Sequence, residues 1–442
     1  MKRYEAYKPS GTAWFTSVPE PWNILKINAL FSQRKEKVSD KDFAPISVTK
    51  NGIMPQLETA AKTDDGDNRK KVCVGDFVIN SRSDRKGSCG VSPFDGSVSL
   101  INIVLQPRQE LNGRYAHYLL RSQPFSEEFY RNGRGIVADL WTTRYSEMKN
   151  ILLPVPPRDE QDQIVRYLDW QVSKINRLIA AKRKQIELMK DTLKSAVAKL
   201  TTHGIGSHDM CRSEIYWLTE YPSTWHVTKL KYILKKHRRE VPPNAELLIC
   251  SNSGEVTKRG DGKLGLVAAS DDIYQGVKTG DLLIHGMDTW HGAIAISNFD
   301  GMCTPVVHVC TCREEKRFVA YYLKMMAYTK VFKAISNGVR QNTSDFRSWD
   351  KVGDLLICLP DISEQVAIAD ELDKLTDATK KGIACFERHI EKLVDLRTRL
   401  ISDVVTGQID VRGIEVPDYE HYDEAPENAT EESSDSDYDT EE

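Results

Sequence analysis

The chain has 442 residues, long enough to bury two or more cores. No run approaches 18 apolar residues, and Met1-Lys2-Arg3-Tyr4-Glu5 lacks the apolar stretch of a signal peptide, so neither a membrane span nor secretion is expected. Charge is unevenly placed: 13 of the 64 acidic residues, and no Lys or Arg, lie in 415–442, so the net −3 hides a net +10 over residues 1–414. A basic body favours a polyanion such as nucleic acid, because phosphate contacts release counterions. The nine cysteines are scattered and odd in number, which reads as free thiols in a reducing compartment, expected to be the cytoplasm.

In chain order, Val72–Asn80 and Val98–Leu105 have the β-branched enrichment of strands, and Arg114–Arg121 and Ser126–Arg131 read as short helices. Glu160–Leu200 then runs without Pro or Gly. Ile164, Leu168, Val172, Ile175, Ile179, Ile186, Met189, Leu193 and Val197 recur there at steps of three, four or seven, as on a coiled-coil face. The same order returns. Asp281–His285 and Pro305–Cys312 read as strands, and Lys316–Lys324 and Thr329–Ser336 as short helices. Glu364–Val405 forms a second long helix, interrupted only by Gly382. Asp361 and Glu364 have capping-box spacing, and Gly204 and Gly407 are expected helix ends.

The return is a duplication. Val18-Pro19-Glu20-Pro21-Trp22 aligns with Tyr221-Pro222-Ser223-Thr224-Trp225 at an offset of 203. Gly75-Asp76 and Phe94-Asp95-Gly96 align with Gly280-Asp281 and Phe299-Asp300-Gly301 at 205. Pro156, Glu160-Gln161 and Asp169 align with Pro360, Glu364-Gln365 and Asp373 at 204. The expected class is α/β (α+β): two similar globular domains related by a pseudo-two-fold internal duplication and joined by two long helices forming an antiparallel coiled coil. The expected divisions are 1–155, a long helix over 156–204, 205–359, a second long helix over 360–407, and an acidic disordered tail over 408–442. At 1.5 Å per residue each helix is roughly 60 Å long. Such a shape suits a target with two-fold character, and duplex DNA is one.

Catalytic signatures are sparse. There is no Gly-x-Gly-x-x-Gly after a strand, no phosphate loop, no His-Glu-x-x-His, and no Asn/Asp-Pro-Pro-Tyr/Phe. Cys303, His308, Cys310 and Cys312 are the best metal candidate, but they lack the separated pairs of structural zinc sites, and they read as a strand with small thiols turned inward. His285 and His291 have no nucleophile placed beside them. No catalytic residue and no metal is assigned.

The two copies disagree most in their loops. Ser81-Arg82-Ser83-Asp84-Arg85-Lys86 stands where the second copy has Gly286-Met287-Asp288-Thr289-Trp290-His291. Further on, Arg134-Gly135-Ile136-Val137-Ala138-Asp139 stands where it has Val339-Arg340-Gln341-Asn342-Thr343-Ser344. Arg, Lys, Asn and Gln are the side chains that pair bidentately with purine edges in the major groove. The candidate DNA-binding residues are therefore Arg82, Arg85, Lys86, Arg134 and Arg144 in the first copy. In the second they are Asp288, Trp290, His291, Arg340, Gln341, Asn342 and Arg347.

The repeated Pro-x-x-x-Glu-Gln opening each long helix, the repeated Trp near the start of each half and the repeated Gly-Asp before a strand carry a resemblance. From about Val18 to Gly407 the chain resembles the specificity subunits of type I restriction–modification systems. The resemblance implies that each globular half is a target recognition domain reading one half of a bipartite, asymmetric double-stranded DNA site. It implies that the helices form the spacer, and that Glu160, Gln161, Glu364 and Gln365 contact partners. The chain itself would have neither catalytic activity nor a cofactor. Two methyltransferase subunits would use S-adenosylmethionine to methylate adenine N6. Two restriction subunits would use ATP and Mg to translocate and cut DNA in host defence. The acidic tail departs from that pattern. A structural coiled-coil adaptor without sequence-specific binding, or a stand-alone enzyme, are the other classes the residues leave open.

Overall fold

The computed structural model describes residues 2–56, 66–82, 85–135, 141–260, 273–336 and 346–422. They divide into two compact units, residues 1–183 with 387–442, and residues 184–386. The long helices Arg158–His203 and Ile362–Val405 each contribute to both units, so the division cuts through the helices rather than falling at their ends.

In the first unit four strands pair in the order Cys89–Val91, Phe77–Asn80, Asn102–Pro107, Phe31–Gln33, all antiparallel. In the second unit Ile294–Ile296, Leu282–His285, Val307–Cys312 and Leu234–His237 pair in the equivalent order, also antiparallel. The central register is also the same: Phe77 faces Leu105, and Leu282 faces Cys310, each residue displaced by 205. Among the described residues every named strand pair is antiparallel, so the α+β form of the expected class holds and parallel α/β does not. The edge pairings of Phe31–Gln33 and Leu234–His237 join strands far apart in sequence and leave no mark on strand composition.

Both faces of these central strands are buried, which explains their near-continuous apolar runs. Alternate residues of a strand point to opposite faces. Phe77, Ile79, Ile103 and Leu105 enter the main core of the first unit, while Val78 and Val104 join a smaller cluster with Val72 and Val98. In the second unit Leu282, Ile284 and Cys310 take the first role, and Leu283, Val307 and Val309 the second.

Within each unit the two helix segments run antiparallel. In the first, Arg397 donates to Asn176 Oδ1 at 2.6 Å, and Ile164, Leu168, Ile175 and Ile179 share a core with Leu400 and Val404. In the second, Val197 shares a core with Ile368 and Leu372. Gly382 sits where the Met189 side chain crosses, and a Cβ there would overlap the Met189 methyl. The helix ends are set by glycine: Gly204 and Gly407 both have φ of +75°, which a side chain would strain. After Gly407, Gln408 N donates to Asp403 O at 2.7 Å and closes the last turn.

Residues 408–422, expected to be part of a disordered tail, are a packed strap of the first unit. Ile409 and Val411 are buried in its core. Asp410 N donates to Lys2 O at 3.0 Å, Gln163 Nε2 donates to Val411 O at 3.1 Å and Ile414 O at 2.7 Å, and Tyr422 N donates to Ser173 Oγ at 2.7 Å. Apolar residues interleaved with the acids supply the burial that composition alone hides. Residues 423–442 lie outside the described residues.

Candidate nucleic-acid interface

The repeated motif residues build the frame. Glu160 is 7% exposed, and its Oε1 accepts from Tyr4 OH at 2.5 Å and Trp22 Nε1 at 3.0 Å. Burial, and then the hydrogen bond to this carboxylate, push the Tyr4 hydroxyl far above the usual phenol range. Gln161 Oε1 accepts from Asn112 N at 2.8 Å, and its Nε2 donates to Pro156 O at 3.0 Å. In the second unit Gln365 repeats this with Glu315 N at 3.1 Å and Pro360 O at 2.9 Å. Glu364 Oε2 accepts from Trp225 Nε1 at 3.2 Å, while Glu364 N is capped by Asp361 Oδ1 at 2.9 Å. Asp361 therefore supplies one half of the capping box, and Glu364 turns to the tryptophan instead of closing the other half. Asp169 takes Arg114 and Tyr118 OH, and Asp373 takes Arg317 and Tyr321 OH, so each helix is bonded to the helix Gly113–Arg121 or Lys316–Tyr328 of its own half. The side chains of Glu160, Gln161, Glu364 and Gln365, expected to contact partners, bond within their own halves. Their polar groups are turned inward, and Gln161 and Gln365 are each 1% exposed.

The variable loops are held by main-chain bonds. In the first unit Thr143 N donates to Ser81 O at 2.9 Å, and Thr142 exchanges both backbone bonds with Arg134 at 3.0 Å. This brings Arg82, Arg134 and Arg144, distant in sequence, beside one another. Arg82, Arg85, Lys86, Arg134 and Arg144 are all exposed. Arg134 lies 3.9 Å from Glu147 Oε1, with 85% of its side chain exposed. Lys86 Nζ sits 5.2 Å from the centre of the Tyr130 ring.

In the second unit Phe346 N donates to Gly286 O at 3.1 Å, the counterpart of the Thr143–Ser81 bond. Gly286 is required there, since a Cβ would lie 2.9 Å from Phe346 O and 3.0 Å from Arg347 Cα. His308 Nε2 lies 2.7 Å from Phe346 O, and burial lowers its pKa, so it stays neutral and donates. Arg347 and His291 are exposed, and Asp288 is half-buried with Oδ2 3.1 Å from His285 Nδ1. Trp290 is half-buried against the core, with Lys333 Nζ 6.0 Å from its ring. Arg340, Gln341 and Asn342 lie outside the described residues.

Reasoning from cations overlooked the aromatic residues: Tyr130 and Trp141 in the first unit and the Lys333 partner of Trp290 in the second. Their signal in the sequence was the pair of aromatic residues at 130 and 141 on either side of Arg134. Among the described residues no three or more His, Cys, Asp or Glu gather as metal ligands. Cys303 and Cys310 enter different apolar clusters, and burial pushes each thiol up to about 12. No helix among the described residues is long and apolar enough to cross a membrane. The geometry offers exposed cations and hydrogen-bond donors on a fixed main chain, the chemistry of groove and phosphate contact.

No protein-family model matches the chain. Curated relatives do. The type I restriction enzyme MjaVIII specificity subunit of Methanocaldococcus jannaschii is 24% identical over 429 residues, covering 90% of this chain and 95% of that one. A second chain of the same organism, provisionally named the MjaX specificity subunit, is 24% identical over 443 residues, covering 89% and 95%. This chain is similar to type I restriction enzyme specificity subunits. The fold agrees: a chain from a solved structure of a type I R-M system, described for its complex assembly and conformational transition, superposes with a TM-score of 0.65. It is 14% identical and covers 89% of this chain and 99% of that one.

Proposed function

We propose that this chain is the sequence-specific DNA-binding subunit of a type I restriction–modification complex. Each unit reads one short half of a bipartite double-stranded site, and the chain recruits methyltransferase and restriction subunits that carry the chemistry. The observation that carries the reading is the duplicated frame. One strand order and one register occur twice, with exposed cations and unlike polar residues on loops that the main chain holds at the same place. Two modules of one shape with different readout loops read two different sequences. The names of the curated relatives support the same reading.

The long helices, shared by both units, set the unread spacer in this proposal. Methylome sequencing of a host carrying the chain and its methyltransferase tests the whole. A gapped, two-part adenine-methylated motif is expected, and a continuous motif, or none, overturns the reading in favour of a structural adaptor. Inserting four residues near Gln185 adds roughly 6 Å of helix. The gap should lengthen by about one or two base pairs while both half-motifs persist.

A further inference from the structure

The first unit carries a cup beside its readout loops. Ile79, Cys89 and Phe129 form its floor, and Tyr130 and Trp141 its walls, their ring centres 6.0 Å apart and tilted by 31°. Arg82 and Lys86, both exposed, stand at its rim. Most of its lining is apolar, and three of the polar groups around it are engaged within the fold. Trp141 Nε1 donates to Tyr130 O at 2.8 Å, Thr143 Oγ1 to Phe129 O at 2.8 Å, and Ser81 Oγ to Ile101 O at 2.6 Å. What the cup presents is therefore hydrocarbon and ring surface beneath a cationic rim. In the second unit the loop lays the Trp290 ring against its own core, with Lys333 beside it.

We infer that this cup receives the C5-methyl group of a thymine in the half-site read by the first unit, an inference that rests on the proposed DNA-reading function. Among the major-groove edges of the four bases, the thymine methyl is the only apolar group. A cup lined mainly by Ile79, Cys89, Leu120, Phe129 and two aromatic rings discriminates by burying hydrocarbon. The cations at the rim favour the polyanion beside the cup and leave the methyl to the cup itself.

The test is thymine-to-uracil scanning in a duplex carrying the motif selected by the full chain from random sequences. Uracil keeps every hydrogen-bonding group of thymine and removes only the methyl. One thymine position in one half-site should lose about fourfold in affinity, the effect of one buried methyl group. That sensitivity should disappear in Tyr130→Ala and Trp141→Ala and persist in Trp141→Phe, which keeps an apolar wall. Undiminished mismatch discrimination at the remaining positions of the same half-site shows that the first unit of each variant is folded. The inference is overturned if no thymine responds, or if the response survives both Tyr130→Ala and Trp141→Ala while the motif itself stands. Failure of the chain to select any motif would defeat the DNA-reading function itself, a separate and recognisable result.

Discussion

The two units differ least where side chains bond inside the fold and most where only the main chain does. Gln161 and Gln365 make the same bonds to the same kinds of partner in both halves. The readout loops are pinned by Thr143 N to Ser81 O in one unit and by Phe346 N to Gly286 O in the other. A main-chain bond is indifferent to the side chain beside it, so Arg82 can give way to Met287 without moving the loop. Between these extremes stands the tryptophan–glutamate site. Glu160 gathers Tyr4 and Trp22. Glu364 keeps Trp225 but has His208 Nε2 at 3.2 Å from Oε1, with that histidine's hydrogen bond directed to Ile205 O.

That asymmetry gives the largest expected effect. Glu160→Ala would leave the Tyr4 hydroxyl and the Trp22 indole without their acceptor in a buried site, at a cost of about 3–4 kcal/mol. Glu364→Ala breaks one longer bond at a half-buried carboxylate and should cost about 1 kcal/mol. Denaturant unfolding of both variants decides the matter. Equal losses would mean that the two sites are energetically the same despite their different partners.

Much of this was legible in the sequence. The constant offset marked the duplication, Pro156, Pro360, Gly204 and Gly407 bounded the long helices, and Asp361 announced its cap. The inward turn of Glu160 and Gln161 was not legible. A repeated polar pair looks the same whether it faces a partner or a buried tryptophan, and the difference depends on Tyr4, Trp22 and Asn112 arriving from far along the chain. The strap was hidden for the opposite reason: Ile409 and Val411 are buried and Ile414 packs against the same core, but they sit beside acids that dominate composition. The cup at Trp141 needed the Thr142–Arg134 pairing, which residue types do not encode.

The loops should separate where the frame does not. Arg347→Ala is expected to relax only the half-site of the second unit, and Arg82→Ala or Arg85→Ala only that of the first, by about 1–3 kcal/mol of discrimination if a bidentate base contact is lost. Motif selection from randomised duplexes reads this directly. A uniform weakening across sequences, with a smaller salt dependence, would assign the side chain to phosphate.

Acidification sharpens a further difference. His117 is held neutral by burial, with Arg121 and Arg114 adding to the effect, and its pKa falls from 6.5 to about 3. Its Nδ1 accepts from Val91 N at 3.3 Å. Between those values the unfolded chain binds a proton that the folded chain does not. Stability is therefore kept above pH 6.5 and lost as pH falls below it. From pH 7 to 5 the loss from this one group should be about 1–2 kcal/mol. The aligned residue in the second half is Ala320, although burial also holds His285 and His308 neutral there. His117→Gln, which keeps an acceptor for Val91 N, should flatten the acid limb of the unfolding curve without abolishing it. An unchanged limb would show that His117 is not the proton acceptor.

The smallest effect is expected at the strap, where packing and charge can be separated by two truncations. Ending the chain after Tyr422 removes ten of the acids and none of the described contacts. Ending it after Gly413 also removes the bonds to Ser173, Gln163 from Ile414, and Arg177 from Glu420. The bonds to Gln163 and Ser173 are partly buried and that to Arg177 is exposed, so their loss should cost about 1 kcal/mol, while the shorter cut leaves stability unchanged. Nonspecific DNA affinity is almost wholly electrostatic. If the acids compete with phosphates for the basic body, both truncations should strengthen binding to random duplex at low salt, more than to the specific site, and the gain should fade as salt rises. The assignment of roles fails if only the longer cut changes nonspecific affinity, because the packed residues 414–422, and not the charge beyond them, would then govern access to DNA.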